Sequence, residues 1–356
     1  MLKRRLISQT ETVSQIESVT TVEQVESDKI NLRKKESIKF DKVVSTGSTV
    51  LDLNISGKRI RGGGLPGGII IEVYGRSGTG KTAVLEEIGA STQSKGGEIE
   101  YVDPEARLDA EYAEIYGMHI NSKNYRRPDT VTELFEDCIW GWKCKNENVI
   151  NTILSDSLAA LSTELEMGEG DKRGQRRAKE FSEGLRKTCR MIAKNNWLIV
   201  CSNQVRQGDK GDVTPGGMAI PFYASLRIRM AQVYGSGLSH KIIKKEDVNG
   251  KAFEKVVGIR SSCEIIKSSL DDPYRKCNIS ILFNYGIDDI RDNLQYVKDV
   301  EQRNTYYCIG REYRSMEHAI KYIEENGLRA DLKNYVIDLW EDIEKKFVVN
   351  RPKKER

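Results

Sequence analysis

Gly75-Arg76-Ser77-Gly78-Thr79-Gly80-Lys81-Thr82 is a GxxxxGK[ST] string, and its reading decides the fold. An apolar run, Gly67–Tyr74 (GGIIIEVY), leads into it, and a stretch with helical spacing, Lys81–Ser94, leads out. Strand, glycine-rich loop and helix in that order make a phosphate cradle. Glycines let backbone N–H groups curl around phosphate oxygens, and the helix N-terminus adds a favourable dipole. Gly75, Arg76, Ser77, Gly78, Thr79 and Gly80 would line the cradle, and Lys81 would neutralise the β- and γ-phosphates. The Thr82 hydroxyl would ligate Mg²⁺. A glycine-rich turn without a ligand is the alternative, and the flanking elements count against it. The string predicts a nucleoside-triphosphate site.

Working outward, Glu98–Val102, Asn148–Leu154 and Trp197–Ser202 read as further buried strands, with Ala178–Asn195 a helix between two of them. Strands alternating with helices argue for βαβ units and a parallel sheet. Lys251–Lys267 and Asn278–Phe283 alternate as strands do, with a turn at Asp271-Asp272-Pro273. Three polar groups then fall just after strands, on the carboxyl-terminal edge where α/β sheets bind ligands. Asp156 would reach the Mg²⁺ shell through water, although strands also end in Asp for turn reasons. Glu105 would orient an attacking water. Asn203-Gln204 would sense a γ-phosphate by hydrogen bonding.

The 356 residues suggest two domains, or one large α/β domain with appendages. Lys and Arg number 57 against 53 Asp and Glu, a net charge of +4, so local clusters of charge inform more than the total. No run of 18 apolar residues exists and the N-terminus lacks an apolar signal core, so no membrane partner is expected. Seven scattered cysteines read as reduced thiols of a cytoplasmic protein, and zinc is not expected. Residues 1–42 form a polar arm with Val13, Ile16, Val19, Val22 and Val25 at a three-residue spacing, either a flexible tail or a segment that orders on a partner. Residues 43–290 make the core. Residues 291–356 make a small second domain with helices at Met316–Asn326 and Leu332–Phe347 and a tail, KKFVVNRPKKER, with six basic groups and one acid.

These motifs, in this order, resemble the RecA recombinase family. The resemblance runs from Val44-Ser-Thr-Gly-Ser48 and Leu51-Asp52 through Gly63-Gly64-Leu65-Pro66-Gly67 to the phosphate loop. It continues with Tyr101-Val-Asp-Pro-Glu105-Ala-Arg-Leu-Asp109, Ser155-Asp156-Ser157, Asn203-Gln204-Val-Arg206, Gly216-Gly217 and Phe222-Tyr-Ala-Ser225, about residues 43–288. It implies a RecA-like P-loop α/β core with a mostly parallel twisted sheet flanked by helices, an N-terminal arm and a small C-terminal α/β or helical domain. It also implies that Glu105 activates water, that Gln204 reports ATP to a DNA loop, and that Asp109 and Tyr112 contact adenine.

By the same resemblance, the chain would form helical filaments on single-stranded DNA, with ATP between subunits, and would exchange strands with homologous duplex. A single-strand-binding or loader protein is an open further partner. Two loops would touch DNA. Glu164–Lys179 packs Lys172, Arg173, Arg176, Arg177 and Lys179 into eight residues, an electrostatic footprint for phosphates or else a solvated helix start. Val205–Gly217 carries Arg206, Lys210, Gly216 and Gly217, and Arg186 matches a contact or interface position. Departures from the family are specific. The second loop is shorter and lacks aromatic residues, and the tail is basic rather than acidic. Lys267 matches the first of two lysines presented to the γ-phosphate, but Ser269 replaces the second, leaving Arg275 or Lys276 as substitutes. A RecA-like ATP-binding regulator without efficient strand exchange is the alternative.

Overall fold

All seven residues of Ile69–Gly75, strand β1, are buried, which is why this strand reads as one continuous apolar run. The computed structural model describes residue 38 and residues 41–146, 148–163, 173–208, 211–214, 218–233 and 239–351. The chain divides into two units, Met1–Lys39 and Phe40–Arg356, and every element below belongs to the second. Apart from Ile38, Asp41 and Lys42, the expected arm lies outside the described residues.

After β1 come β2 (Ile99–Val102), β3 (Tyr125–Arg126), β4 (Asn151–Ser155), β5 (Trp197–Gln204), a hairpin of β6 (Arg206–Gly208) and β7 (Gly211–Val213), and β8 (Leu226–Gln232). The chain then makes β9 (Lys241–Val248), β10 (Lys251–Ser268), β11 (Lys276–Leu282) and β12 (Gly286–Ile287). One ten-stranded sheet has the order β12-β11-β10-β8-β1-β5-β4-β2-β3, with β9 paired to β10 beside this path. The strands from β8 to β3 are parallel neighbours, and those from β10 to β12 are antiparallel. Register aligns the carboxyl ends: Gly75 faces Gln204 across β1–β5, and Ser155 faces Cys201 and Val102. That shared edge is where the site residues gather.

The helices are α1 (Thr49–Ser56), α2 (Lys81–Ser94), α3 (Ala110–Ile115), α4 (Val131–Glu133, continued by a π-helical turn to Trp140), α5 (Arg173–Asn195), α6 (Ala219–Tyr223), α7 (Asp289–Val300), α8 (Met316–Glu325) and α9 (Arg329–Lys346). Phe181, Leu185 and Ile192 of α5 recur at helical spacing and pack with Phe135, Ile139 and Ile153 on one face of the sheet. α5 begins at Arg173, earlier than the Ala178 read from the sequence, because its arginines, glutamine and lysine are good helix formers. Residues 173–179 therefore stand on a helix rather than in a loop. The 290/291 boundary falls inside α7, which Asp288 caps by accepting a hydrogen bond from the Arg291 amide.

Two polar knots hold the core. The carboxylate of Glu72 on β1 is fully buried between Arg227 of β8 (2.6 Å) and the Asn203 side-chain amide of β5 (3.0 Å). Removing one partner of such a buried pair costs about 3–5 kcal/mol. Buried Asp52 of α1 accepts from the Ser45 hydroxyl and from the Thr46 amide and hydroxyl at 2.5–2.8 Å, so the Ser-Thr-Gly-Ser stretch is a structural clasp. Gly63 is required beside it: φ is +65° and a Cβ would lie 1.9 Å from the Asp52 carbonyl oxygen.

Candidate functional site

The turn from β1 into α2 is made by glycines. Gly80, at φ +81°, caps α2, and Gly78, at φ +73°, would present a Cβ to open space. The loop therefore curls with its amides free of side chains, ahead of the positive end of α2. Lys81 is nearly buried, and its ammonium donates to the carbonyl oxygens of Gly75 (3.1 Å) and Arg76 (2.9 Å). Burial pulls its pKa below the ordinary lysine value, and the charges of Asp156 and Glu105 pull it back up. The Thr82 hydroxyl donates to Asp156 at 2.6 Å, and the Ser202 hydroxyl donates to the other Asp156 oxygen. A hydroxyl and a carboxylate side by side next to this cradle suit a hydrated Mg²⁺ on a triphosphate. The residues present fit Mg²⁺-ATP.

Glu105 stands between β2 and α3, mostly shielded from solvent. Its Oε1 accepts from the Ser157 hydroxyl (2.8 Å) and the Gln204 amide (3.2 Å), and its Oε2 pairs with Arg107 (2.7 Å). Glu105 and Gln204 thus meet directly although 99 residues separate them. Asp103, two residues before Glu105, is committed elsewhere: it accepts from the Leu108 amide and the Tyr125 hydroxyl, each at 2.8 Å. Arg107, Ser157 and Ser202 are site residues that sequence reading did not assign. Arg107 and Ser157 lie inside the motifs quoted above, yet nothing local in the sequence pairs them with Glu105.

The other expected residues are placed as follows. Asp109 caps α3 by accepting from the Glu111 and Tyr112 amides, and Tyr112 packs edge-on against Tyr116 at 5.5 Å. Arg76 and Ser77 are exposed at the lip of the loop, and Thr79 is buried beneath it. Lys267 does not approach the phosphate loop of its own chain; its ammonium donates to the Pro221 and Phe222 carbonyls at 2.9 Å each. Arg275, a candidate substitute for the missing lysine, is tied to Asp271, Asp272 and Glu344, which leaves Lys276 exposed beside it.

Among the basic candidates, Arg173, Arg176, Arg177 and Lys179 ride the first turns of α5. Arg186, further along, is solvent-exposed and hydrogen-bonded to Tyr223. Arg206 opens the β6–β7 hairpin, so the second expected loop is in part a β-hairpin on the same sheet edge. Lys172, Lys210, Gly216 and Gly217 lie outside the described residues.

One buried acid sits against this site without a described partner. Glu86, on α2, is 2% exposed, and its Oε2 has no hydrogen-bond partner among the described residues. Burial, then the charges of Asp156, Glu87 and Asp109, push its pKa from 4.5 up to about 8. A carboxyl raised in the folded state costs nothing below the unfolded value and destabilises increasingly as pH rises toward the folded one. Glu86→Leu should therefore stabilise the protein by about 2–4 kcal/mol at pH 8 and little at pH 4.5. Thermal melts without nucleotide or Mg²⁺ check this, and an equal gain at both pH values would contradict it.

Comparison with known proteins agrees with the geometry. The family model for the RecA N-terminal domain matches residues 10–288. "Protein RecA" of Ruminococcus albus is 32% identical over 264 residues, 72% of this chain and 61% of that protein. "Protein RecA" of Delftia acidovorans is 29% identical over 325 residues, covering 87% of this chain and 82% of the relative. That of Thermus thermophilus is 31% identical over 257 residues, 70% and 69% of the two chains. A P-loop, an acid after β4 and a carboxylate–glutamine pair on one edge of a mostly parallel sheet are thus carried by a chain that belongs to the RecA family.

Proposed function

We propose that this chain is an ATP-dependent recombinase that polymerises on single-stranded DNA, searches for homology and promotes strand exchange. The direct contact of Gln204 with Glu105 carries the reading, because it joins a water-activating carboxylate to a DNA loop. Gln204 ends β5, and Arg206 begins the hairpin two residues later. Bound Mg²⁺-ATP would supply the scissile phosphoryl group and screen its charge. Thr82 and Asp156 would hold the metal shell, Lys81 would neutralise the phosphates, and Glu105 would accept the proton of the attacking water. A γ-phosphate oxygen would compete with Glu105 for the Gln204 amide, so nucleotide state would bias the hairpin through this side chain.

DNA would be held by Lys172, Arg173, Arg176, Arg177 and Lys179 at the start of α5, by Arg186, and by Arg206, Lys210, Gly216 and Gly217 of the second segment. Asp109 and Tyr112 would face adenine, and Lys267 would reach the γ-phosphate of a neighbouring subunit. Residues 1–42 would dock on that neighbour, 43–290 form the ATPase core and 291–356 a small C-terminal domain. A cytoplasmic location suits this activity; no helix among the described residues is long and apolar enough to cross a membrane.

One observation favours the second reading, an ATP-binding regulator: Lys267 is already engaged by two carbonyl oxygens, and Ser269 offers no charge beside it. ATP turnover with and without single-stranded DNA, with negative-stain imaging of the same samples, separates the two. DNA-stimulated turnover on helical filaments is expected. Nucleotide binding without stimulation or filaments would establish the regulator instead.

A further inference from the structure

Arg107 pairs with Glu105 across a kink of one residue. Between them Ala106 adopts φ +54°, a left-handed conformation that a residue with a Cβ enters only at a cost. Strain of this kind gathers where a side chain must be aimed. Asp103 holds the kink from both sides. Its carbonyl accepts from the Ala106 amide at 3.2 Å, and its carboxylate accepts from the Leu108 amide at 2.8 Å. The Tyr125 hydroxyl steadies the same carboxylate oxygen. The backbone that carries Arg107 is therefore fixed, while its side chain is free to swing. It is 77% exposed, and Glu105 is its one ion-pair partner among the described residues.

The two oxygens of Glu105 are held differently. Oε1 takes two neutral donors, Ser157 and Gln204, and Oε2 takes the charged one. A carboxylate acting as base lies within hydrogen-bond reach of the attacking water, so a guanidinium on Oε2 stands beside the group being transferred. Lys81 also feels the charge of Glu105, but it is nearly buried and anchored on the Gly75 and Arg76 carbonyls. Charge balance then decides what Arg107 does. While Glu105 is ionised, the guanidinium has a full negative charge to rest on. Once the carboxyl has taken a proton from water, that charge is gone, and negative charge is spread over the γ-phosphoryl oxygens. A solvent-screened ion pair is weak and gives way at little cost. A guanidinium fork, by contrast, matches phosphoryl oxygens two at a time.

We propose that Arg107 stabilises the transition state of ATP hydrolysis from within its own subunit, passing from Glu105 to the γ-phosphoryl group as Glu105 takes the proton. In balance, one proton moves from water to Glu105, the water oxygen bonds the γ-phosphorus, and the bond from that phosphorus to the bridging oxygen of ADP breaks. The inference rests on the ATPase reading above, and it adds a mobile cation to the fixed one of the phosphate loop.

The test uses the full chain carrying Arg107→Ala or Arg107→Lys. Besides ATP turnover it measures binding of three Mg²⁺ complexes: ADP, the imido analogue of ATP, and ADP with aluminium fluoride, a mimic of the transferring phosphoryl group. Arg107→Ala should lower turnover about 10²- to 10³-fold, as loss of one oxyanion donor does. Affinity for ADP and for the imido analogue should stay within about twofold of wild type, while the aluminium fluoride complex binds about tenfold more weakly or worse. Arg107→Lys should recover part of both losses, since it restores the charge without the fork. Thermal melting should match wild type, because the contact removed is exposed. Unchanged or faster turnover in Arg107→Ala would overturn the transfer and leave Arg107 an idle or restraining partner of Glu105. Equal loss for all three complexes would mean that Arg107 shapes the nucleotide pocket, and would overturn it too. Wild-type protein that neither hydrolyses ATP nor binds these nucleotides would overturn the ATPase reading itself.

Discussion

Glu105→Gln is expected to lower ATP turnover by about 10²- to 10⁴-fold, the range a positioned general base supplies, while nucleotide and single-strand binding stay within about twofold of wild type. The substitution preserves size and most contacts. The Ser157 hydroxyl, 2.8 Å from Oε1, can still donate to an amide oxygen there. Arg107 loses its partner, but its side chain is 77% exposed, so water replaces the contact at little cost. What disappears is the capacity to take a proton from water. Asp103 is held away from this network: one of its oxygens accepts from the Leu108 amide and the Tyr125 hydroxyl, whereas Ser157 and Gln204 donate to Glu105. If hydrolysis converts a tight DNA complex into a weak one, the variant should remain on DNA with ATP far longer than wild type. Steady-state phosphate release and DNA dissociation measured on the same preparation check both halves. Retention of more than about one-tenth of wild-type turnover would assign the water to another group.

The difference between what was legible in the sequence and what was not follows from where each constraint acts. The phosphate loop is legible because its constraint is local: Gly80 must adopt φ +81° directly before α2, and β1 must be apolar because both faces are covered. β8 escaped notice because Arg227 and Arg229 break its apolar pattern, and only the fold supplies the reason. Arg227 neutralises Glu72, 155 positions earlier, and lies over the Tyr74 ring. β9 was hidden for the opposite reason, since a ribbon with solvent on both faces has no buried stripe to betray it. The pairing of Ser157 with Glu105 spans 52 residues, so residue types could suggest a carboxylate base but not the donors that aim it. Lys267 shows the same limit from the other side. Its identity fitted a phosphate contact, yet in a single chain its ammonium rests on the carbonyls at the end of α6.

Lys81→Ala should have the largest effect of all, removing ATP turnover by about 10³-fold or more and weakening nucleotide binding with it. Three consequences of the geometry add up. The ammonium is the only described cation held inside the loop, bonded to the Gly75 and Arg76 carbonyls, so its loss leaves two acceptors pointing into the cradle. Its charge also offsets Asp156 and Glu105, the two carboxylates that raise its pKa against burial. Without it, a triphosphate would meet those carboxylates with only the helix dipole and Mg²⁺ in its favour. Lys81→Arg restores charge but not shape, because a planar guanidinium cannot occupy the point that a compact ammonium fills between two carbonyls. That variant should recover part of the binding and little of the turnover. Thermal melts with and without ATP and Mg²⁺ read the binding directly, since saturation to 100 times Kd stabilises a protein by about 2.7 kcal/mol. Wild type should show the shift, Lys81→Arg a smaller one and Lys81→Ala none. A Lys81→Ala protein that keeps both the shift and the turnover would place the nucleotide elsewhere, and the link from Gln204 to the hairpin would lose its trigger.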